Sequence, residues 1–265
     1  MNDLLLLFIT GAGVGLMSSF FGIGGGVIMI PTLFSIYPSL PAHALIPISL
    51  GMIFLNTALN IFNWRKDKVL PSKKTVLNLF IGCAFGALLG SYTLYMMDSE
   101  LIKKIFGVVL LMVSIRMLTT SSENLNSTPN LNPLFFILIG FSGAFLSSIT
   151  GLGGGIIYIP LFIILTKISK NFISPYSNVA MFFASILGLI PHLLRPIDVT
   201  KLDIDSLLKG FFIGHMNIFI IGVMFLGAIT TSKLGSRLNL NVSVKTKNLL
   251  LSLILLIFSI RIFIR

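Results

Sequence analysis

Long stretches without a charged residue dominate the chain. No Asp, Glu, Lys or Arg occurs between Asp3 and Arg65. A membrane-spanning helix needs about 20 residues, so this block holds two passes plus additional buried chain. Uncharged blocks that each fit one span follow at 75–97, 172–194 and 210–232, and the block 124–166 holds about one span and a half.

Two shorter apolar blocks, at 105–118 and 248–264, complete the pattern. They reach the length of a span if the flanking cations extend their side chains toward the membrane surface. These cations are Lys103, Lys104, Arg116 and Arg261. The pattern therefore predicts about eight transmembrane helices.

The composition is typical of a polytopic membrane protein. Hydrophobic residues make up 55% of the 265 residues, charged residues make up 10%, and the mean hydropathy is +1.00. In soluble domains about a quarter of the residues carry charge. The strands of a membrane β-barrel would alternate in polarity, whereas these blocks are apolar on every side. We therefore predict an all-α fold, in which each span satisfies its own backbone hydrogen bonds.

The charged residues lie between the apolar blocks. The formal net charge is +11, and the cations flank the predicted spans, so we expect them to contact membrane lipids rather than nucleic acid. All eight acidic residues also lie outside the apolar cores, so the chain has no intramembrane carboxylate of the kind that coupled carriers often use. The one cysteine, Cys83, excludes an intramolecular disulfide and a cysteine metal cluster.

The two halves of the sequence resemble each other. Residues 11–31 and 140–160 align without gaps at an offset of 129, and ten of these 21 positions are identical. Further matches run at an offset of 145, between residues 89–91 and 234–236 and between residues 114–116 and 259–261. The segment 119–132, rich in Ser, Asn and Pro, is expected to be a loop. We predict a tandem duplication of residues 1–125 and 126–265, a construction common among transporters.

Each half contains a Gly-x-Gly-Gly-Gly motif followed by a proline. The glycines are Gly22, Gly24, Gly25 and Gly26 before Pro31, and Gly151, Gly153, Gly154 and Gly155 before Pro160. No Lys-Ser or Lys-Thr pair follows either motif, so neither is a nucleotide-binding loop. We expect the glycines to break the helix, and the helix that starts after the break presents unpaired N–H groups to an anion. The alternative is that these glycines only allow close helix packing.

Other glycines have the spacing of a packing face. Gly82, Gly86 and Gly90 recur every four residues in the third predicted span. Small residues at this spacing let two helix backbones approach closely, so we expect a packing role. The set recurs at an offset of 145, in Gly227, Thr231 and Gly235.

Polar residues form a stripe on the span that follows each glycine motif. Their spacings of seven, four and three in the first half place them on one helical face, which carries Ser49, Asn56, Asn60 and Asn63. Adding 129 to positions 49, 56 and 63 gives the positions of Asn178, Ser185 and His192. The stripes either line a substrate pathway or bond neighbouring helices together.

The candidate substrate-binding residues combine both motifs with part of the stripes. They are Ser18, Ser19, Gly22, Gly24, Gly25, Gly26, Asn56, Ser147, Ser148, Thr150, Gly151, Gly153, Gly154, Gly155 and Ser185. The serines could instead bond back to their own helices. We expect no catalytic residue, metal or cofactor, because the sequence has no nucleophile–base pair and no metal-ligand cluster.

The remaining polar residues near span ends receive other interpretations. His192 lies beside Arg195 and is expected to be a solvated interfacial histidine. His215 is expected to be structural. Arg116 and Arg261 are expected to anchor span ends and to contact phospholipid.

These features resemble a known family. Two halves of about four spans, each opening with Gly-x-Gly-Gly-Gly and a proline, are similar to the sulfite exporter TauE/SafE family, also called the four-toluene sulfonate uptake permease family. The resemblance covers nearly the whole chain. It implies a multi-pass transporter in a plasma membrane, of the bacterial inner-membrane type, for sulfite or small organosulfur anions. It assigns the motif glycines but not the stripes.

We predict transport of a small anion between the two halves, with export as the expected direction. An anion leaving a negative-inside cell gains about 2.3 kcal/mol per charge per 100 mV, so export needs no coupling ion. A membrane-embedded enzyme and a non-transporting membrane scaffold are the alternatives. The sequence leaves open the identity of the anion, the membrane sidedness, the oligomeric state, and whether the halves are parallel or inverted.

Overall fold

The computed structural model describes residues 2–21, 23–64, 70–119, 131–202, 206–242 and 244–264. Within these ranges the chain is helical except for short connections and one hairpin of two-residue strands. The all-α class predicted from the sequence is therefore confirmed. The predicted boundary between the halves, at residues 125 and 126, lies outside the described residues.

The elements follow in this order. The first half contains α1 (Asn2–Phe21), α2 (Gly26–Ile36), α3 (Ala42–Trp64), α4 (Lys73–Leu94) and α5 (Ser99–Thr119). The second half contains α6 (Pro133–Thr150), α7 (Gly155–Leu161), α8 (Lys170–Leu194), α9 (Ser206–Lys209), α10 (Ile218–Asn241) and α11 (Val244–Ile264). A π-helical turn (Phe162–Thr166) continues α7, and a 3-10 turn (Val199–Lys201) precedes α9. Strands β1 (Phe212–Ile213) and β2 (Met216–Asn217) pair antiparallel before α10.

Six helices in the described part of the chain are long and apolar enough to cross a membrane. They are α1, α3, α4, α6, α8 and α10. Helices α5 and α11 have 21 residues each. Charged residues lie in the first turns of α5, and the apolar part of α11 is limited to Leu249–Ile264. The multi-pass architecture is therefore present, and the count of eight spans stays a prediction.

Local sequence explains where two of the spanning helices begin. The Asn132 side chain accepts a hydrogen bond of 3.0 Å from the Leu134 N–H at the start of α6. The Asn217 side chain accepts one of 3.0 Å from the Ile220 N–H at the start of α10. Both bonds satisfy an N–H group of the first helical turn that has no partner within its own helix.

Helix α4 packs against α6 through its small residues. A Cβ added at Gly86 would collide with the carbonyl oxygen of Phe141, and one added at Gly90 would lie 2.5 Å from that of Phe145. A Cβ added at Gly82 would collide with the carbonyl oxygen of Ile137. The packing role predicted for these three glycines is confirmed, because no side chain fits between the two backbones.

Helix α1 packs against α10 in the same manner. A Cβ at Gly227 or at Gly235 would collide with a carbonyl oxygen of α1. Between them, Thr231 Oγ1 donates a hydrogen bond of 2.6 Å to the carbonyl oxygen of Ala12. The expected packing role of the second small-residue set is therefore also confirmed.

The other helix faces are apolar and exposed. On α4, Phe85 is 69% exposed, although Gly86 and Ala87 beside it are buried. In a soluble protein such a surface would be polar, whereas lipid chains solvate apolar side chains readily. The exposed apolar faces are therefore those expected of helices that contact lipid.

The centre of the structure is the pair α3 and α8. Helix α4 packs on α8, α10 packs on α3, and α5 pairs with α11. The short helices α2 and α7 contact α3 and α8 respectively. Both glycine motifs, which connect α1 to α2 and α6 to α7, therefore lie next to the central pair.

Candidate functional site

Both glycine motifs interrupt the helices in which they occur. Helix α1 ends at Phe21 and α2 begins at Gly26, and α6 ends at Thr150 and α7 begins at Gly155. The predicted breaks are therefore present. Left-handed backbone angles occur in both turns, with φ of 86° at Gly25, which precedes α2, and 72° at Gly154, which precedes α7. Residues with a Cβ rarely adopt such angles, so the turns require glycine.

Three other motif glycines share this backbone geometry. Gly24, Gly151 and Gly153 also have positive φ, of 79°, 70° and 76°. Gly22, the first glycine of the first motif, lies outside the described residues.

The two glycine turns contact each other. A Cβ at Gly26 would lie 2.6 Å from the carbonyl oxygen of Gly151 and 2.7 Å from the carbonyl carbon of Leu152. A Cβ at Gly155 would lie 2.5 Å from the carbonyl oxygen of Ile23. The first residues of α2 and α7 are thus held against the backbone of the opposite turn. We refer to this region, residues 23–26 and 151–155, as the facing turns.

Apolar side chains from the central helices cover the facing turns. Ile53 of α3 lies 2.7 Å from the Cβ position of Gly26 and 2.8 Å from that of Gly153. Met181 of α8 has its sulfur 2.7 Å from the Cβ position of Gly24. Both side chains are fully buried. In this conformation the facing turns are therefore closely packed against both side chains.

The predicted serines differ in their surroundings. Ser18 and Ser147 are buried beside the glycine turns: a Cβ at Gly25 would lie 3.3 Å from Ser18 Oγ, and the Ser147 carbonyl accepts a 2.7 Å bond from Gly151 N–H. The Ser147 hydroxyl has no hydrogen-bond partner among the described residues. It therefore does not bond back to its own helix.

Ser19 and Ser148 face other helices instead. Ser19 lies against α10, 3.0 Å from the Cβ position of Gly235. Ser148 lies between α4 and α8, near Gly90 and Gly188, and its buried hydroxyl also has no partner in the described part of the chain. Thr150 differs from these serines, because its Oγ1 donates a 2.6 Å bond to the Leu146 carbonyl of its own helix.

The polar stripes on α3 and α8 form one direct bond between helices. Asn60 Nδ2 donates a hydrogen bond of 2.9 Å to Asn178 Oδ1. Ser49 Oγ donates one of 2.7 Å to the carbonyl oxygen of Gly151. These three residues hold helices and turns together, which is the alternative role that the sequence left open. The side chain of Asn63 is outside the described residues.

Two other stripe residues bond no neighbouring helix in the described structure. Asn56 is 9% exposed and its Nδ2 has no partner there. Ser185 is fully buried and donates a 3.0 Å bond to the Phe182 carbonyl of its own helix. Asn56 Nδ2 is therefore not engaged in holding the helices of the described structure together.

The structure corrects the expectation for His192. Its side chain is 0% exposed, so it is not a solvated interfacial histidine. The Tyr95 hydroxyl lies 2.6 Å from its Nδ1. Tyr95 and His43, which also lies beside the Tyr95 ring, were not predicted as site residues. The chain has three histidines, His43, His192 and His215, which are far apart in sequence and share no motif. Their small number is the one feature of the sequence that could have marked them as candidates.

Comparison with known proteins identifies the family. The sequence model of the sulfite exporter TauE/SafE family matches residues 7–262. The chain belongs to this family. A probable membrane transporter protein of Methanocaldococcus jannaschii is 32% identical to this TauE/SafE chain over 260 residues, which cover 94% of the chain and 91% of the relative. A probable membrane transporter protein of Haemophilus influenzae is 27% identical, over 87% of the chain and 85% of the relative.

A third relative of this TauE/SafE protein is more distant. The probable membrane transporter protein YunE of Bacillus subtilis is 21% identical over 96% of the chain and 94% of the relative. No solved structure matches the chain. The family and its spanning helices together make this a multi-pass membrane protein of a transporter family.

A cavity of this TauE/SafE protein lies away from the facing turns. Its volume is about 890 Å³, and it is bordered by α2, α5 and α11. Phe34 and Phe258 line it together with the cations Lys103, Lys104 and Arg261. The Lys103 ammonium lies 5.2 Å from the centre of the Phe34 ring. Arg261 therefore lies at a cavity that both charged and aromatic side chains line.

Proposed function

We propose that this protein carries a small oxyanion, such as sulfite or an organosulfur anion, across a bacterial-type plasma membrane, and that export is the main direction. The observation that carries the proposal is the contact between the two glycine turns, each of which starts a helix. The first N–H groups of α2 and α7 have no partner within their helices. Two helix N-termini at one place favour negative charge, as in the broken helices of other transporters.

Buried polar groups near the turns support the same proposal. The Ser147 hydroxyl and the Asn56 amide nitrogen are buried and have no partner among the described residues. A polar group that loses water without gaining a hydrogen bond costs about 1–3 kcal/mol. An oxyanion bound beside them would accept their hydrogen bonds and offset this cost. Both residues are among the candidate substrate-binding residues predicted from the sequence.

Passage of the anion requires that Ile53 and Met181 move, because they cover the facing turns. Transporters of this type change access by moving one group of helices against another around a fixed site. We therefore regard the packed arrangement as an occluded conformation in the transport cycle.

Contacts between helices support the tandem duplication. The offset of 145 relates Gly82 to Gly227, and the offset of 129 relates Phe8 to Ile137. The contact of Gly82 with the Ile137 carbonyl therefore corresponds to the contact of Gly227 with the Phe8 carbonyl. Near the ends of the halves, Ser114 Oγ donates a 2.8 Å bond to the Ser252 carbonyl, and Ser259 Oγ donates a 2.9 Å bond to the Gly107 carbonyl. The offset of 145 relates Ser114 to Ser259 and Gly107 to Ser252, so each bond is the counterpart of the other. Such reciprocal contacts are expected if a twofold axis relates the halves.

The directions of the helices favour inverted rather than parallel halves. Helices α3 and α8 correspond at the offset of 129, and they run antiparallel. At one end Asn60 bonds Asn178, and at the other end His43 and His192 both lie against the Tyr95 ring. An axis that exchanges two antiparallel spanning helices lies in the membrane plane, which is the arrangement of inverted-topology transporters.

A flux assay tests the proposed function. The purified chain would be reconstituted into liposomes with a potassium gradient and valinomycin to set the membrane potential. Uptake of sulfite, sulfate and methanesulfonate would be compared with uptake by protein-free liposomes. We expect protein-dependent uptake of at least one anion, faster when the potential drives the anion inward. A folded, reconstituted protein that moves none of the three would contradict the proposal and favour a membrane enzyme or a scaffold.

A further inference from the structure

The three histidines of the chain meet around one tyrosine. The ring centre of Tyr95 lies 5.7 Å from that of His43, 5.2 Å from that of His192 and 5.3 Å from that of His215. The guanidinium carbon of Arg195 lies 4.0 Å from the centre of the same ring. We call these five residues the histidine cluster. They come from α3, the residue directly after α4, the end of α8 and the β1–β2 hairpin, so the tertiary fold alone brings them together.

Hydrogen bonds fix the geometry of the cluster. The Tyr95 hydroxyl lies 2.6 Å from His192 Nδ1, and His43 Nε2 lies 3.1 Å from the Leu94 carbonyl at the end of α4. The His215 backbone N–H donates a 2.9 Å bond to the His192 carbonyl, which ties the hairpin to the end of α8. Burial raises the pKa of Tyr95 to about 12, so its hydroxyl stays protonated at neutral pH.

The cluster contains ring nitrogens without partners. His192 is fully buried, and its Nε2 has no hydrogen-bond partner among the described residues. The Nδ1 of His215 is buried and has none there either. In either tautomer of His192, Nδ1 can bond the Tyr95 hydroxyl, so Nε2 is left over. If His192 takes up a proton, the Nε2–H needs an acceptor that the described protein does not supply.

The groups that face His192 include no carboxylate in the described part of the chain. They are Tyr95 directly after α4, His43 of α3, His215 of the hairpin, and Arg195 directly after α8. A proton added to an imidazole of the cluster is repelled by the positive charge of Arg195. Burial and the nearby His43 lower the pKa of His215 below its ordinary value. A bound anion would reverse both effects, because it supplies the missing negative charge and accepts the free N–H groups.

Two helices link the cluster to the proposed anion site. His192 is the last residue of the polar stripe on α8, and it lies one helical turn, about 6 Å, beyond Gly188. Gly188 lies against Ser148, whose hydroxyl has no partner, and Ser148 precedes the second glycine turn by three residues. The cluster is thus connected to the second glycine turn through the end of α8 and the end of α6.

We propose that the histidine cluster is a second anion site, which binds a small oxyanion together with a proton on its imidazoles. This inference rests on the proposed function, because it assigns an entrance to the same pathway. The anion and the proton assist each other's binding by the same factor, as thermodynamic linkage requires. Anion affinity therefore rises as the pH falls, by up to about tenfold per pH unit for one linked proton.

Histidine labelling tests the inference directly. The chain has three histidines, so selective ¹³C/¹⁵N labelling of the purified full-length protein gives three imidazole rings to follow by NMR. Sulfate and methanesulfonate are suitable probes because their charges do not change between pH 5.5 and 8. We expect either anion to shift the His192 and His215 signals and to raise the pH at which they titrate. Imidazole signals whose chemical shifts and titration midpoints do not change when either anion is added would overturn the proposal.

Binding measurements on matched variants complete the test. Tyr95→Phe removes the hydroxyl that holds His192, and Tyr92→Phe is the control, because Tyr92 is exposed one turn earlier on α4. His192→Gln removes the titrating ring. We expect wild type and Tyr92→Phe to bind the probe more tightly at pH 5.5 than at pH 8, and His192→Gln and Tyr95→Phe to lose most of this difference.

The outcomes separate this inference from the proposed function. If wild type binds the probes equally at every pH, or if the pH dependence is unchanged in His192→Gln and Tyr95→Phe, the histidine cluster is not an anion site and the proposed function stands. If wild type neither binds nor transports sulfite, sulfate or methanesulfonate, the proposed function fails and the inference fails with it.

Discussion

Ser49 Oγ donates a hydrogen bond of 2.7 Å to the carbonyl oxygen of Gly151. Ser49 is on α3 in the first half of the chain, and Gly151 is the first residue of the second glycine turn. Both residues are fully buried or nearly so. This bond fixes a glycine turn of one half to a central helix of the other half.

The first prediction concerns this bond. Replacement of Ser49 by Ala leaves the Gly151 carbonyl without this donor, so we expect a loss of about 1 kcal/mol of stability. Thermal unfolding in detergent measures the loss. Ser142→Ala is the control, because the Ser142 hydroxyl bonds only carbonyls of its own helix α6 in the described structure. Equal melting temperatures of Ser49→Ala and Ser142→Ala would contradict a structural role for the bond.

The second prediction concerns the contact between α4 and α6. A Cβ at Gly86 would collide with the Phe141 carbonyl, so Gly86→Leu must push the two helices apart. We expect a loss of about 3 kcal/mol, the upper part of the range for overpacked cores, together with a lower yield of folded protein.

The matched control for Gly86→Leu is Gly13→Leu. A Cβ at Gly13 of α1 meets no atom within 4 Å, so the added side chain projects into open space. We expect its yield and melting temperature to stay close to those of wild type. A Gly86→Leu protein as stable as Gly13→Leu would show that α4 and α6 do not pack as described.

The third prediction concerns the glycine turns. Gly25→Ala and Gly154→Ala place a Cβ on residues with φ of 86° and 72°, which costs about 1–2 kcal/mol at each position. Stability should therefore fall moderately, and transport should fall further, because the altered turn no longer presents its N–H groups to the anion. Gly13→Ala is the control.

Anion flux and binding must be measured on protein that remains folded, since both variants are strained. Binding at unchanged affinity in the Gly25→Ala/Gly154→Ala double variant would move the anion site away from the facing turns. The proposed function would then need another site within the same fold.

The fourth prediction separates two asparagines on one helix. Asn60 bonds Asn178, so Asn60→Leu should reduce stability, and a double-mutant cycle with Asn178→Leu should give a coupling of about 0.6 kcal/mol. Asn56 Nδ2 has no partner in the described structure, so Asn56→Leu should leave stability unchanged or higher.

Asn56→Leu, which should not reduce stability, should reduce transport. Asn56→Leu removes a free polar group beside the proposed pathway, so flux should fall although the protein is stable. Ser185→Leu should reduce flux as well, with some loss of stability because Ser185 is fully buried. Flux that is normal in Asn56→Leu and Ser185→Leu would show that the stripes only hold the helices together.

The sequence by itself determined the features that depend on local chemistry. Long uncharged blocks predict membrane-spanning helices because lipid excludes charge. The breaks at Gly25 and Gly154 follow because adjacent glycines permit left-handed backbone angles that other residues avoid. The packing faces at Gly86 and Gly235 were predictable for a similar reason, since small residues at a spacing of four lie on one side of a helix. The tandem pattern and the family resemblance also come from the residues alone.

The tertiary structure decided which of these features meet. Nothing local indicates that α1 packs on α10, that the two glycine turns touch, or that Ser148 lies between α4 and α8. The burial of His192 was misjudged because the sequence shows its distance from a span end but not the hairpin and the tyrosine that cover it. Contacts between residues far apart in the chain depend on how all helix faces fit together, and the pattern of any single helix does not contain that information.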